Sequence, residues 1–172
     1  ALDTSTPATV TLSVTQPNLP FGAVTPGSHT DSGLMGLRTD LVTGAPAITQ
    51  NHVNTAVDYS NHSNPPTYGD HHPALNGTDG SLTPRPTGVY TTAQPDEDLV
   101  HNLEHGHVWI SYNPSLISAA DLAALQEFVR AGGNDTGVIL TPRSRNTTAI
   151  AVASWARLLT FTQFDAGQLR DF

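Results

Sequence analysis

LVHNLEHGHVWISY, residues 99–112, carries three histidines and a glutamate within residues 101–107 and then runs straight into a strand. Preceded by PDED, it reads as a short helix. Pro95 or Asp96 starts it, acidic residues fill the first turn, and Gly106 ends it. HVWISY follows as a strand. Downstream, SAADLAALQEFVRAGG reads as an amphipathic helix. Ser118 caps it, Leu122, Leu125, Phe128 and Val129 face inward, and Gly132-Gly133 terminate it. GVILTP is a short buried strand. TAIAVASWARLLTF is expected as one long strand whose apolar start implies burial on both faces. DAGQLRDF closes the chain as a turn or two of helix. This order gives a single α+β domain, a mixed β-sheet with helices packed on it.

The N-terminal half reads differently. Residues 1–50 are rich in Thr, Pro, Gly and Ser and are expected as an arm. Within it TVTLSVTQ alternates Val10, Leu12 and Val14 with hydroxyl residues, an edge-strand pattern. Residues 51–98 hold almost no periodic segment. Long loops in compact domains usually carry function. Pro65, Pro66 and Pro73 stiffen this one, and His52, His62, His71 and His72 make it a fitting wall for a site. The metal-binding domain is therefore placed at residues 51–172.

Charged residues are only 13% of the 172, and the net charge is −8. Lysine is absent and the seven cations are all arginine. A negative chain with no basic cluster disfavours nucleic acid and anionic membranes as partners. No apolar run reaches the length of a membrane span. With no cysteine, disulfides and thiolate metal sites are excluded. A start at Ala1 rather than Met, together with four sequons at Asn61, Asn76, Asn134 and Asn146, predicts a secreted, N-glycosylated protein.

His52, His71, His101 and His105 stand out by context. On a helix His101 and His105 are four apart and project from one face, about 5–6 Å apart at Cβ, the spacing at which two imidazoles share an ion. Glu104 lies beside them as a ligand, an orienting group or a base. His52 and His71 close the shell from the loop, while His29, His62 and His107 are expected to be solvated. His101-Asn102-Leu103-Glu104-His105 also fits H-x-x-E-H, a metalloprotease motif that needs a long helix and a downstream acidic ligand. Gly106 stops the helix, and Glu127, the one later glutamate, sits opposite the apolar face of its helix. No G-x-S-x-G is present. Tyr59, Tyr68, Tyr90, Trp109 and Trp155 are expected as core or pocket walls, and Arg143 as a substrate-carboxylate anchor or a surface cation.

HV at 52–53, PPTYGDH at 65–71, GVY at 88–90 and VHNLEHGHVWISYNP at 100–114 together resemble the domain-of-unknown-function family numbered 3105. The likeness runs from about residue 51 to 172. It implies His52, His71, His101, Glu104 and His105 as the site. Tyr68 and Asp70 depart from the family's Ser and Pro. His107 is an additional histidine, so His72 and His107 are expected as extra or substitute ligands. The expected function is a secreted protein holding one transition-metal ion at His52, His71, His101 and His105. Copper is favoured for an all-imidazole, sulfur-free site, and zinc comes second. The protein would then be a copper carrier or a mononuclear copper oxidoreductase acting on a small extracellular substrate. The alternatives are a zinc-dependent hydrolase with Glu104 as general base, or a structural site that pins the loop.

Overall fold

The computed structural model describes residues 36–74, 84–132 and 136–172. The elements are β1 (Leu37–Arg38), a 3-10 turn (Thr39–Leu41), β2 (Gly88–Val89), α1 (Asp96–Glu104), β3 (Val108–Tyr112), α2 (Ala119–Gly132), β4 (Val138–Pro142), β5 (Ile150–Ser154), β6 (Arg157–Phe161) and α3 (Ala166–Asp171). The strands form one mixed sheet in the order β1-β6-β5-β3-β4-β2. β3 and β4 are parallel and joined by α2, and β2 adds to β4 in parallel. β5, β6 and β1 continue the sheet antiparallel from β3. This is the expected α+β domain.

Strand alternation divides the core. Ile110, Tyr112, Leu140, Ile150 and Val152 pack with Leu125 and Val129 of α2 and Leu169 of α3. Trp109, Ile139 and Ala153 pack against Leu99 and Leu103 of α1. Trp109 is fully buried, and its indole N–H donates to Thr141 Oγ1 at 2.9 Å. Leu99 and Leu103 are also fully buried, which contributes about 2–3 kcal/mol each by apolar area. That burial fixes α1 on the sheet and so fixes the polar residues it carries.

α2 begins as its sequence predicts: Asp121 N–H donates to Ser118 Oγ at 3.0 Å. Residues 148–161 correct the reading as one long strand. They form the β5–β6 hairpin, with Ser154 opposite Arg157 and Trp155-Ala156 at the turn. Ala156 has φ 58°, a left-handed conformation costing an alanine about 1 kcal/mol. No glycine or asparagine marks the turn. The surrounding backbone holds it instead: Ala156 N–H donates to Thr67 O, and its carbonyl accepts from Thr39 N–H, both at 3.0 Å.

The TVTLSVTQ segment lies outside the described residues. The part of the arm that is described supplies β1 as an edge strand on β6, so Leu37 and Arg38 join the same sheet as the domain that follows. Among the described residues no helix is long and apolar enough to cross a membrane.

Candidate metal centre

Three segments converge at the C-terminal end of α1. α1 carries His101 and Glu104, and His105 caps it, its N–H bonded to the His101 carbonyl at 3.2 Å. His52 and His71 arrive on the long loop as neighbours in a short parallel bridge. Val53 N–H donates to His71 O (2.8 Å), and His71 N–H donates to Asn51 O (3.0 Å). Asp70 fastens the same turn, accepting from the Asn51 side-chain amide at 3.0 Å. The Tyr59 hydroxyl donates to the Asp70 carbonyl at 2.6 Å. The loop thus has its own hydrogen-bond frame and delivers two imidazoles at a set position.

The rings of His52, His71 and His101 form a near-equilateral triangle, with centroids 4.9, 5.0 and 5.0 Å apart. His105 stacks on His101 at 4.8 Å, their Nε2 atoms 2.9 Å apart. Glu104 Oε2 lies 3.1 Å from His71 Nε2 and 3.4 Å from His52 Nε2. His71 and His101 are buried, whereas His52 and His105 are exposed. Both buried rings are oriented through Nδ1: His71 donates to the Gly69 carbonyl at 2.8 Å and His101 to the His72 carbonyl. That fixes the tautomer and turns both Nε2 atoms into the cluster.

Burial holds His101 below the ordinary imidazole value. The His72 carbonyl opposes this, and the nearby His71, His105 and His52 add to it. A neutral imidazole with a directed Nε2 lone pair is the form that binds metals. Burial pushes Glu104 up, but the charges and hydrogen bonds of His71 and His52 outweigh it and hold the carboxyl below its usual value.

His52, His71, His101, Glu104 and His105 are therefore brought together. The donor atoms fall into two groups, His52/His71/His101 and His101/Glu104/His105, each within 4.8 Å, with His101 common to both. His72 and His107 do not join either group. The His72 ring is buried against Asp98, donating from Nδ1 to Oδ1 at 2.6 Å. His107 Nδ1 accepts from the Asn102 side-chain amide at 2.7 Å.

His62, expected in solvent, is half-buried between Tyr59 and Tyr68, with a buried Nδ1 that has no hydrogen-bond partner among the described residues. His29 lies outside the described residues. Arg143 is buried and cannot serve as a substrate anchor, because it is spent on Asp96 (Nε–Oδ1 3.0 Å, Nη2–Oδ2 2.8 Å), Asn64 and Asn146. The glycan expectation fails at Asn146, which is 3% exposed and whose amide donates to Ser111 Oγ at 2.8 Å. Asn61 is exposed, and Asn76 and Asn134 lie outside the described residues. The H-x-x-E-H protease reading lacks its long helix, since α1 stops at Glu104.

Asp98 and Arg85 are the supporting residues that the sequence did not single out. Asp98 is fully buried between His72 and Arg85, whose Nε reaches Oδ2 at 3.0 Å. An arginine in a proline-rich loop and an aspartate in a helix first turn look like surface charges in isolation. A cleft of about 460 Å³, lined among others by Asp58, Tyr59, His62, Asp96 and Arg145, opens at the opposite, N-terminal end of α1.

No curated protein and no solved structure matches the chain. A family model described as a protein of unknown function (DUF3105) matches residues 52–172, the span that carries every residue of this cluster. The chain belongs to that family.

Proposed function

We propose that this protein binds a single transition-metal ion, copper(II) first, through the imidazoles gathered at the end of α1, and that it acts outside the cell. The observation that carries this reading is the His52/His71/His101 triangle, with its two buried rings already turned inward by backbone carbonyls. Ligand nitrogens at about 2.0–2.1 Å from an ion put ring centroids roughly 5 Å apart at tetrahedral angles. The observed centroid spacings are close to that. The 2.9 Å between the Nε2 atoms of His101 and His105 is the separation of two ligands at roughly a right angle, which suits the tetragonal preference of copper(II). The donor set contains nitrogen and carboxylate oxygen and no sulfur, and on such sites copper(II) outcompetes the other divalent first-row ions.

One observation favours a second reading. Glu104 stands beside a three-histidine face, and three imidazoles with a free position and an adjacent carboxylate suit a zinc-activated water with Glu104 as its base. Metal analysis of the purified protein with electron spin resonance separates the two. One copper per chain with nitrogen couplings supports the first, while one zinc and no such signal supports the second. A protein that binds neither ion with a defined stoichiometry refutes both.

A further inference from the structure

We propose that the cluster is a two-position path for its ion rather than one closed shell. The outer position is formed by His101, Glu104 and His105, the inner one by His52, His71 and His101. The inference rests on copper(II) being the ion bound.

The grouping of the donors comes first. Ligand atoms around one ion lie within about 4.2 Å of each other, twice a metal–nitrogen bond. The two three-donor groups have His101 in common, Glu104 Oε2 stands between them at 3.1 Å from His71 Nε2 and 3.4 Å from His52 Nε2, and the His105 ring is stacked on His101. His101 has one nitrogen free for an ion, because its Nδ1 is committed to the His72 carbonyl. One lone pair holds one ion, so the two positions exclude each other, and a stoichiometry of one is kept whichever is filled.

Exposure then orders them. His105 is exposed at the end of α1 and is followed by Gly106, at φ +80°, whose flank is open space. Glu104 is 26% exposed and His71 0% at the side chain. The outer position presents two accessible donors, Glu104 and His105, and the inner one only His52, at 49%, so an arriving ion reaches His71 last. Glu104 also reaches across, since Oε2 is already 3.1 Å from His71 Nε2. In the inward step the bond to His105 Nε2 breaks and bonds to His71 Nε2 and His52 Nε2 form. His101 Nε2 stays bound throughout and Glu104 pivots. No electron moves, and the ion never returns to a fully hydrated state. The acidic chain and the exposed carboxylate favour capture of a free cation over an anionic complex.

The test is stopped-flow uptake of copper(II) sulfate by the full chain, read by tryptophan fluorescence, with spin resonance at the end point. The wild type should show a fast phase proportional to copper concentration and a slower phase independent of it. His105→Ala should lose the fast phase and load in a single slow phase whose rate rises with copper concentration. His71→Ala should lose the slow phase and surrender its copper at once to a chelator. His52→Ala, on the exposed rim, gives the same reading should His71→Ala fail to fold, and circular dichroism checks each variant. A single phase in the wild type, or the loss of both phases in His71→Ala, would overturn the inference in favour of one shared shell. A wild type with no copper resonance at all sinks the copper reading itself and is distinguished by that end point.

Discussion

Asp98→Asn is the substitution whose cost the structure fixes most narrowly. Asp98 is fully buried. Its Oδ1 accepts from His72 Nδ1 at 2.6 Å, and its Oδ2 accepts from Arg85 Nε at 3.0 Å and Nη2 at 2.5 Å. An amide keeps the shape but removes the charge, and it turns one acceptor into a donor that faces another donor. Hydrogen bonds to charged groups contribute about 1.5–3 kcal/mol each and are not additive. Removing one partner of a buried ion pair costs about 3–5 kcal/mol, and that is the expected loss. At roughly 2–4 °C per kcal/mol for a chain of this size, the melting temperature should fall by roughly 6–20 °C. Urea unfolding of metal-free protein, followed by circular dichroism, measures it. The same change should reach the proposed metal site. The carbonyl of His72 orients His101, and disturbing such a supporting contact typically weakens metal binding about 10–100-fold. A stability loss under about 1 kcal/mol would show that the carboxylate is not the charged anchor of His72 and Arg85, because an ordinary surface exchange costs no more.

Three further outcomes follow from the same geometry. Trp155 lies edge-on to His71 with centroids 6.2 Å apart, while Trp109 is sealed in the core beneath α1, so Trp155→Phe should remove most of the copper-dependent fluorescence quenching; quenching that persists would put the ion elsewhere. Burial holds His62, His101 and His107 below the ordinary imidazole value. Such groups take up protons more readily when unfolded, so stability is full above about pH 6.5 and is lost as pH falls through that value toward their folded ones. The urea midpoint of metal-free protein should therefore be lower at about pH 5.5 than at about pH 7.5, and a midpoint that rises on acidification would contradict the burial argument. Expressed through a eukaryotic secretory route, the folded protein should carry glycan at Asn61 and none at Asn146; peptide mapping that finds Asn146 occupied would contradict its buried, amide-committed position.

The regular half of the fold was legible because its signals are local. Asp96, Glu97 and Asp98 in a first turn, Ser118 at a cap and Gly106 past a helix end act within a few residues, and α1 and α2 begin and end close to where those residues put them. The β5–β6 turn was not legible, because Ala156 carries no turn signal. Its left-handed backbone is held by Thr39 and Thr67, 117 and 89 positions upstream by residue number. The burial of Arg143 was hidden for a related reason. Its partners Asp96 and Asn64 are 47 and 79 residues away, and each is an ordinary polar residue in its own neighbourhood.

The histidine cluster shows the same division. Helical spacing alone sets His101 and His105 four apart, and the structure has their Nε2 atoms 2.9 Å from each other. Nothing in that spacing says which of them reaches the loop histidines. The loop decides it: Asp70 clamps Asn51, the bridge aligns His52 with His71, and the triangle closes on His101, the buried ring, leaving His105 outside at the rim. His72, one residue beyond His71 in the same loop, is drawn away by Asp98, whose Oδ1 accepts from its Nδ1 at 2.6 Å. Its backbone still serves the site, through the carbonyl that turns His101 inward. Membership of the cluster therefore depends on long-range loop geometry, and a change that loosens Asp70 or Asp98 should disturb the arrangement of the rings while every histidine remains in the chain.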